Sequence, residues 1–473
     1  MKKFFEKYDL IKVSGILVLV AVILTWLFPY SYFNGTQLVE QEITRVGITN
    51  FFQYAVDGLR YFTVLATFLF VTGGFYQVLS KRPGYQKLVK TIGEKLKGRE
   101  IPVVLFVSLI FSCLGSLVTE YYPLLAIIPF VITIYNIMKI DKITAFVSTF
   151  GGLLVGALGS TYSTKVAGAI LEGFKADIAD VLTTQSILFV ITFVALNIFM
   201  ILRLNKTKKD KKFEEYDKFA IDTTSKDEKK ADKKSAKVWP YALMFVLMFL
   251  TISMAYLPWE KYWEITLWKE VTTWLNEFSI AGVPILSYIT GTLKEFGAWD
   301  IYHTMFVMLF ATLLVKCFGK VSFDEIIESF GEGFQKIAST VVAMLAVYLV
   351  LEFAFEFPVL PAVIAWFESL TTGFSAFFAS LGAFVTSIFS VEMQYGIALT
   401  GTYYATAYAD KLSTLVIIFQ SMFGLVSFFI PSSAILMIGL SYLDIKYKDW
   451  MKFIWKFLLI MFLIIAVMIA IIA

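Results

Sequence analysis

Runs of about 20 apolar residues, long enough to cross the hydrocarbon of a bilayer as helices, recur along this chain at roughly 11–31, 54–79 and 184–203. A water-soluble core has no need of such lengths. With 58% hydrophobic and 16% charged residues, most of the chain meets lipid, where only helices and closed barrels satisfy their own backbone. Helical-length runs without strand-like alternation indicate an all-α integral membrane fold.

The N-terminal run is longer than a signal-peptide core and lacks a small-residue cleavage site, so it reads as a retained first helix. Only Cys113, Cys317 and His303 are present as cysteines and histidine, which leaves no disulfide framework and no zinc spacing. His303 and Cys113 read as structural. No nucleophile triad or phosphate loop appears, so an enzyme is disfavoured and no cofactor is expected. The net charge of +4 comes from loop lysines and arginines; it is a topology signal and no sign of a nucleic-acid partner.

Lys2, Lys3, Lys7 and Lys12 place the N-terminus in the cytoplasm of a multi-pass cell-membrane protein. The second span returns to a loop with Lys81, Arg82, Lys87, Lys90, Lys95, Lys97 and Arg99, again cytoplasmic. Two apolar stretches, 102–119 and 123–138, are parted only by Glu120, Tyr121 and Tyr122, which gives two close helices, either full spans or a re-entrant hairpin. The run 143–180 is interrupted by GALGSTYST (156–164), too polar for a lipid-facing helix, so a broken helix is predicted there. Residues 206–237 hold 12 Lys and 8 Asp or Glu and read as a solvated, partly disordered linker. A helix at 239–257 leads to an interfacial segment with Trp259, Trp263, Trp268 and Trp274, and spans at 300–318 and 335–356 follow.

LGSLVT at 114–119 recurs as LGAFVT at 381–386, its glycines 267 residues apart, and IDK at 140–142 recurs as ADK at 409–411, 269 apart. The same alignment sets GSTYST (159–164) against IPSSA (430–434). The halves therefore read as repeats, each with a re-entrant hairpin and a broken helix. The helix at 239–257 makes the second copy start on the opposite side, so the repeats are inverted. The chain divides into a first repeat (1–205), the linker (206–237), a connecting and interfacial segment (238–299) and a second repeat (300–473).

Inverted repeats of this kind place their site at the midplane, where half-helix N-termini offer amides and partial positive charge. The candidates at the first hairpin tip are Thr119, Glu120, Tyr121 and Tyr122, followed by Pro123, which suits a helix's first turn. The first break offers Gly159, Ser160, Thr161, Ser163 and Thr164, whose oxygens suit a substrate carboxylate or Na⁺, although Ser and Thr also glue membrane helices. Lys165 either neutralises a carboxylate or snorkels to water. The second half supplies Thr386, Glu392 and Gln394, then Pro431, Ser432 and Ser433, where Na⁺ is again an option. Glu120 and Glu392 sit in corresponding hairpins, and a carboxylate deep in a membrane calls for a proton, a cation or a cationic substrate group. Glu352 and Glu356, near a span's end, read as interface residues.

VGITNFFQYAVDGLRYFTVLATFLFVTGGFYQVL (46–79), YYPLLAIIPF (121–130), GALGSTYST and IPSSAILMIGLSYLDIKYKDWMKFIWKF (430–457) resemble the YfcC/DcuC type, or anaerobic C4-dicarboxylate carrier-like, family of the ion transporter superfamily. The resemblance implies paired re-entrant hairpins, paired broken helices, a substrate site between them and a homodimer; its members are assigned to dicarboxylates, amino acids or peptides. Where the family pattern has Asn-Pro after GST this chain has Ser163 and Thr164, and its second hairpin reads SVEMQYG (390–396). The expected function is an ion-coupled symporter or an exchanger of a small carboxylate-bearing solute, working by alternating access with Na⁺ or H⁺. An amino acid is favoured, including a basic one such as arginine, ornithine or lysine. A C4-dicarboxylate or short-peptide carrier is the alternative, and a channel the remoter one.

Overall fold

The structure is a computed structural model that describes residues 9–35, 37–42, 45–210, 213–221, 237–319 and 321–473, apart from the side chains of 209 and 210. Most of the described residues are helical. Seven helices are 18 residues or longer and apolar enough to cross a membrane.

The chain opens with α1 (Asp9–Leu27) and then a two-stranded hairpin, β1 (Ser31–Asn34) and β2 (Gln37–Glu40), paired antiparallel with Ser31 opposite Glu40. This short hairpin is an addition to an otherwise helical fold. Where one span was expected at 54–79, α2 (Ile48–Tyr61) and α3 (Thr63–Ser80) form a pair of helices joined at Phe62, whose ring stacks on Tyr348 at 3.8 Å. Then come α4 (Pro83–Leu96), the hairpin limbs α5 (Glu100–Leu117) and α6 (Ile128–Met138), the interrupted helix α7 (Lys142–Ser148), α8 (Phe150–Leu158) and α9 (Ala169–Phe174), and the long α10 (Ile178–Asp210). A connecting α11 (Trp239–Ala255) and short α12 (Leu267–Glu277) and α13 (Ile285–Thr290) follow.

The remainder is α14 (Ile301–Gly319), α15 (Phe323–Glu356), α16 (Leu360–Glu368), hairpin limbs α17 (Ala376–Phe389) and α18 (Met393–Ala407), a second interrupted helix of α19 (Leu412–Ser427) and α20 (Ala434–Tyr442), and α21 (Tyr447–Ile472). Long helix, hairpin, interrupted helix and long helix thus succeed one another twice. The span expected to begin at 335 begins at Phe323, because Ser322 caps it: its hydroxyl accepts from Glu325 N at 3.1 Å.

The helices α3 and α15 run antiparallel, and the start of α7 meets the end of α20. Arg82, just past α3, pairs with Glu325 at the start of α15. Lys142, opening α7, donates to Asp444 O, just past α20, at 3.2 Å. The two helices α3 and α15 cross so closely that a Cβ on Gly73 would stand 2.8 Å from Gly333 O, and one on Gly333 would stand 2.4 Å from Gly73 O. Both glycines are sterically required, since small residues let backbones approach where lipid offers no hydrophobic drive.

The described part of the lysine-rich linker is not wholly solvated. Residues 213–221 fold back onto the bundle, burying Tyr216, Asp217 and Phe219. Tyr216 donates to Ile140 O at 2.8 Å, Lys218 to Ser339 Oγ at 3.2 Å, and the Phe219 ring lies 6.0 Å from that of Tyr76 and 6.5 Å from that of Tyr442. Residues 222–236, for which disorder was expected, lie outside the described residues.

Candidate functional site

The first break shows how the sequence builds a charged centre. After α8 the segment GSTYS cannot continue the helix, and the amides of Thr161, Tyr162 and Ser163 all donate to one carbonyl, Ser116 O on α5, at 3.0 to 3.1 Å. Ser116 Oγ adds bonds to Gly159 O and to Thr161 Oγ1, each 2.9 Å. The chain re-enters a helix through a π-turn, Thr164–Gly168, closed by Gly168 N donating to Ser163 O at 2.8 Å. Such wide turns recur at functional sites because they re-aim a side chain; here the turn carries Lys165.

Lys165 Nζ sits 2.9 Å from Glu120 Oε2 at the first hairpin tip and 2.9 Å from Glu392 Oε2 at the second. Lys165 and Glu120 side chains are 19% exposed and Glu392 8%. The snorkelling alternative for Lys165 is therefore set aside. Glu392 also accepts from Gln394 Nε2 at 3.1 Å and from the Tyr348 hydroxyl at 3.3 Å. Tyr348 OH lies 2.9 Å from Tyr122 OH, and the Tyr121 ring packs edge-on to Tyr122. Residues from α15, both hairpin tips and the first break therefore meet at one point. With all three groups ionised, two carboxylates and one ammonium leave one negative charge in excess.

Other expected residues play supporting parts. Thr164 Oγ1 donates to Thr119 O at 2.9 Å, and Thr119 N donates to Tyr256 O at 2.7 Å, tying the first tip to the chain after α11. Ser160 Oγ accepts from Ala167 N at 3.2 Å. Ser163 Oγ and Thr386 Oγ1 are buried with no hydrogen-bond partner. Ser433 caps α20, accepting from Leu436 N at 3.4 Å, and no bond of the charged cluster reaches Pro431, Ser432 or Ser433.

Half-helix N-termini were expected to offer their amides to a substrate carboxylate, with the hydroxyls of the first break beside them. The amides at 161–163 are instead taken by Ser116 O, because a buried amide without a partner is costly and the hairpin carbonyl is the nearest acceptor. Glu352, expected at an interface, is only 7% exposed, since α2 packs over it with Gly58 facing its Cβ.

Sequence reasoning missed Tyr348, which looks like any aromatic in an apolar helix. It also missed Gln420 and Gln185. Gln420 Nε2 on α19 donates to Ser160 O at 2.8 Å and Leu158 O at 3.1 Å, and accepts from Gln185 Nε2 at 2.8 Å. An amide inside an apolar run is the signal that marks both. The Trp-rich segment was expected to lie at the membrane surface; Tyr162 of the break lies 5.8 Å from the Trp263 ring and 5.6 Å from that of Tyr262, so part of the segment covers the break. Among the described residues no grouping of three or more His, Cys, Asp or Glu is suited to a metal ion.

A lipid-length helical bundle whose hairpin tips and broken helix enclose an ion-paired centre is the architecture of a multi-pass membrane carrier, not of an enzyme. The chain belongs to the DcuC family, described as the C4-dicarboxylate anaerobic carrier, which it matches over residues 9–473. Among solved structures it is similar to the Alcanivorax borkumensis YdaH transporter, at 11% identity over 98% of each chain with a TM-score of 0.42. No curated protein matches it.

Proposed function

We propose that the protein is a secondary active carrier, a symporter or an exchanger, whose two inverted halves alternate access to a site at Glu120, Lys165 and Glu392. Its substrate is an amino acid, basic ones included. One observation carries this reading: two carboxylates share a single lysine in a largely buried place. A zwitterion can insert without changing the charge count, its carboxylate taking Lys165 while its ammonium takes the carboxylate released. A basic amino acid also offsets the excess negative charge. A dicarboxylate would add two negative charges to a site already negative, a costly burial without further cations.

The dicarboxylate reading remains the second one, because the family description names that class. Coupling to H⁺ or Na⁺, a cell-membrane location with a cytoplasmic N-terminus, and a homodimer belong to the same proposal. Counterflow of labelled arginine and of labelled succinate in proteoliposomes separates the substrates. Truncating one partner of a buried charge pair costs about 2 to 5 kcal/mol, so arginine uptake should fall by more than about tenfold in Glu120→Gln and in Glu392→Gln. Unchanged arginine and lysine uptake in both variants, or succinate counterflow alone, sinks the amino-acid reading.

A further inference from the structure

Five charged residues of the described chain are essentially buried: Arg82, Asp217, Glu352, Glu368 and Glu392. Four have partners. Arg82 pairs with Glu325; Asp217 accepts from Phe219 N at 2.9 Å; Glu368 accepts from the Tyr404 and Tyr408 hydroxyls at 3.0 and 2.6 Å; Glu392 has Lys165, Tyr348 and Gln394. Glu352 has none: no hydrogen bond or ion pair reaches it among the described residues.

Its surroundings make ionisation expensive. Glu352 lies in the apolar helix α15, a candidate membrane span. The charged groups that act on it are both acidic: Glu356, four residues further along the same helix, and Asp57 on α2. Tyr54 of α2 and Tyr395 of α18 are the titratable side chains that share its field. Among the other helices packed on α15, α3 and α17 carry no charged residue. Tyr442 closes the far end of α20, and Asp9 of α1 lies at the opposite end of α15, beside Ala338 and Ser339. α2 also carries Arg60 and α1 carries Lys12, but the charges that act on Glu352 are the two acidic ones, and such a carboxylate in a membrane helix calls for a proton or a cation.

The position also connects it to the charged centre. Glu352 is four residues from Tyr348, so the two share a face of α15 about one turn apart, and the Tyr348 hydroxyl donates to Glu392. Tyr395, whose ring packs edge-on to Phe355 at 5.7 Å, feels both Glu352 and Glu392.

We propose that Glu352 is the proton-binding site of the carrier, taking up one proton from the solution on one side of the membrane and releasing it on the other as the substrate moves. The step forms and breaks a single O–H bond, from carboxylate to neutral acid and back; the proton is the coupling ion and nothing else is consumed. Protonated, Glu352 can be carried through an apolar environment with α15; ionised, it holds the helix where water reaches it. The hydroxyls expected to bind Na⁺ at the first break are by contrast engaged, Thr161 Oγ1 with Ser116 and Ser160 Oγ with Ala167 N.

The proposal rests on the carrier reading but not on the identity of the solute, and two measurements on the full chain test it separately from that reading. Infrared difference spectra of the reconstituted wild type across a pH titration should show the carbonyl band of a protonated carboxylic acid appearing, and Glu352→Gln should lose that band. Its persistence in Glu352→Gln overturns the proposal. In proteoliposomes with labelled arginine, Glu352→Gln, which mimics the protonated acid, should lose accumulation driven by a pH gradient while melting in detergent at the wild-type temperature. Accumulation that survives in Glu352→Gln, or that is driven by a sodium gradient at equal pH, also overturns it. If the wild type moves no arginine at all, the amino-acid reading fails and the infrared titration alone decides for or against Glu352.

Discussion

At the residue scale, the side chain that organises the site is Tyr348. Its ring stacks on Phe62 at 3.8 Å, and its hydroxyl meets Tyr122 OH at 2.9 Å and Glu392 Oε1 at 3.3 Å. Tyr348→Phe keeps the stack and removes the bridge. Leaving buried polar groups short of a partner costs about 1 to 3 kcal/mol, so the variant should melt at a lower temperature, and KM for the transported solute should rise by roughly fivefold or more as Glu392 loses its anchor. Counterflow kinetics beside a melting curve check this; an unchanged KM means the hydroxyl does not shape the site. Glu120, Glu392 and Lys165 were individually legible, because a charge among apolar residues is conspicuous. Their meeting was not, since Lys165 and Glu392 are 227 residues apart and no local pattern encodes a contact at that distance. Tyr348 gave no signal at all, since aromatic residues are 17% of the chain.

At the scale of elements, the crossing of α3 on α15 brings half the molecule onto the other. The Gly73 and Gly333 backbones are in contact there, with no room for a methyl group. Gly333→Ala should push the helices apart and lower stability by about 1 to 3 kcal/mol, the usual cost of overpacking. A fall in melting temperature in detergent shows it; an unshifted melt means the crossing relaxes freely. A polar interruption in an apolar run has few structural meanings and marked the first broken helix, while the recurrence of LGSLVT as LGAFVT and of GSTYST against IPSSA pointed to the second hairpin and break. Hydropathy placed the ends of α10 and α15 too far inside and missed the kink at Phe62, where no proline or glycine marks the break. The short β1–β2 hairpin also escaped, since its few residues carry a weak alternation. Yet it bridges the halves, with Ser31 N donating to Pro358 O and Ser31 Oγ accepting from Ala362 N, both at 3.0 Å.

For the whole molecule, the linker is the feature that composition obscured. Twelve lysines in 32 residues outweigh Phe213, Tyr216 and Phe219, although their spacing of three hints at one docked face. Burial pushes the Asp217 carboxyl up to about 6. A raised value means that the docked state binds the proton more tightly. Docking strength is thus fullest below the ordinary aspartate range and is lost as pH rises through about 6. Amide protection factors at 213–221, taken relative to the base-catalysed intrinsic rate at each pH, should accordingly be larger at pH 5 than at pH 8, and Asp217→Asn should flatten that difference; an equal pH response in the variant refutes the assignment. Finally, three successive amides resting on Ser116 O leave no joint between the first hairpin and the first break. The two are pinned as one unit, which meets the second hairpin through the Lys165–Glu392 ion pair and through the packing of α9 on α18, where a Cβ on Gly173 would run into Ile397. A movement that separated the first break from the second hairpin would have to part this ion pair, a step set by charge and solvent access.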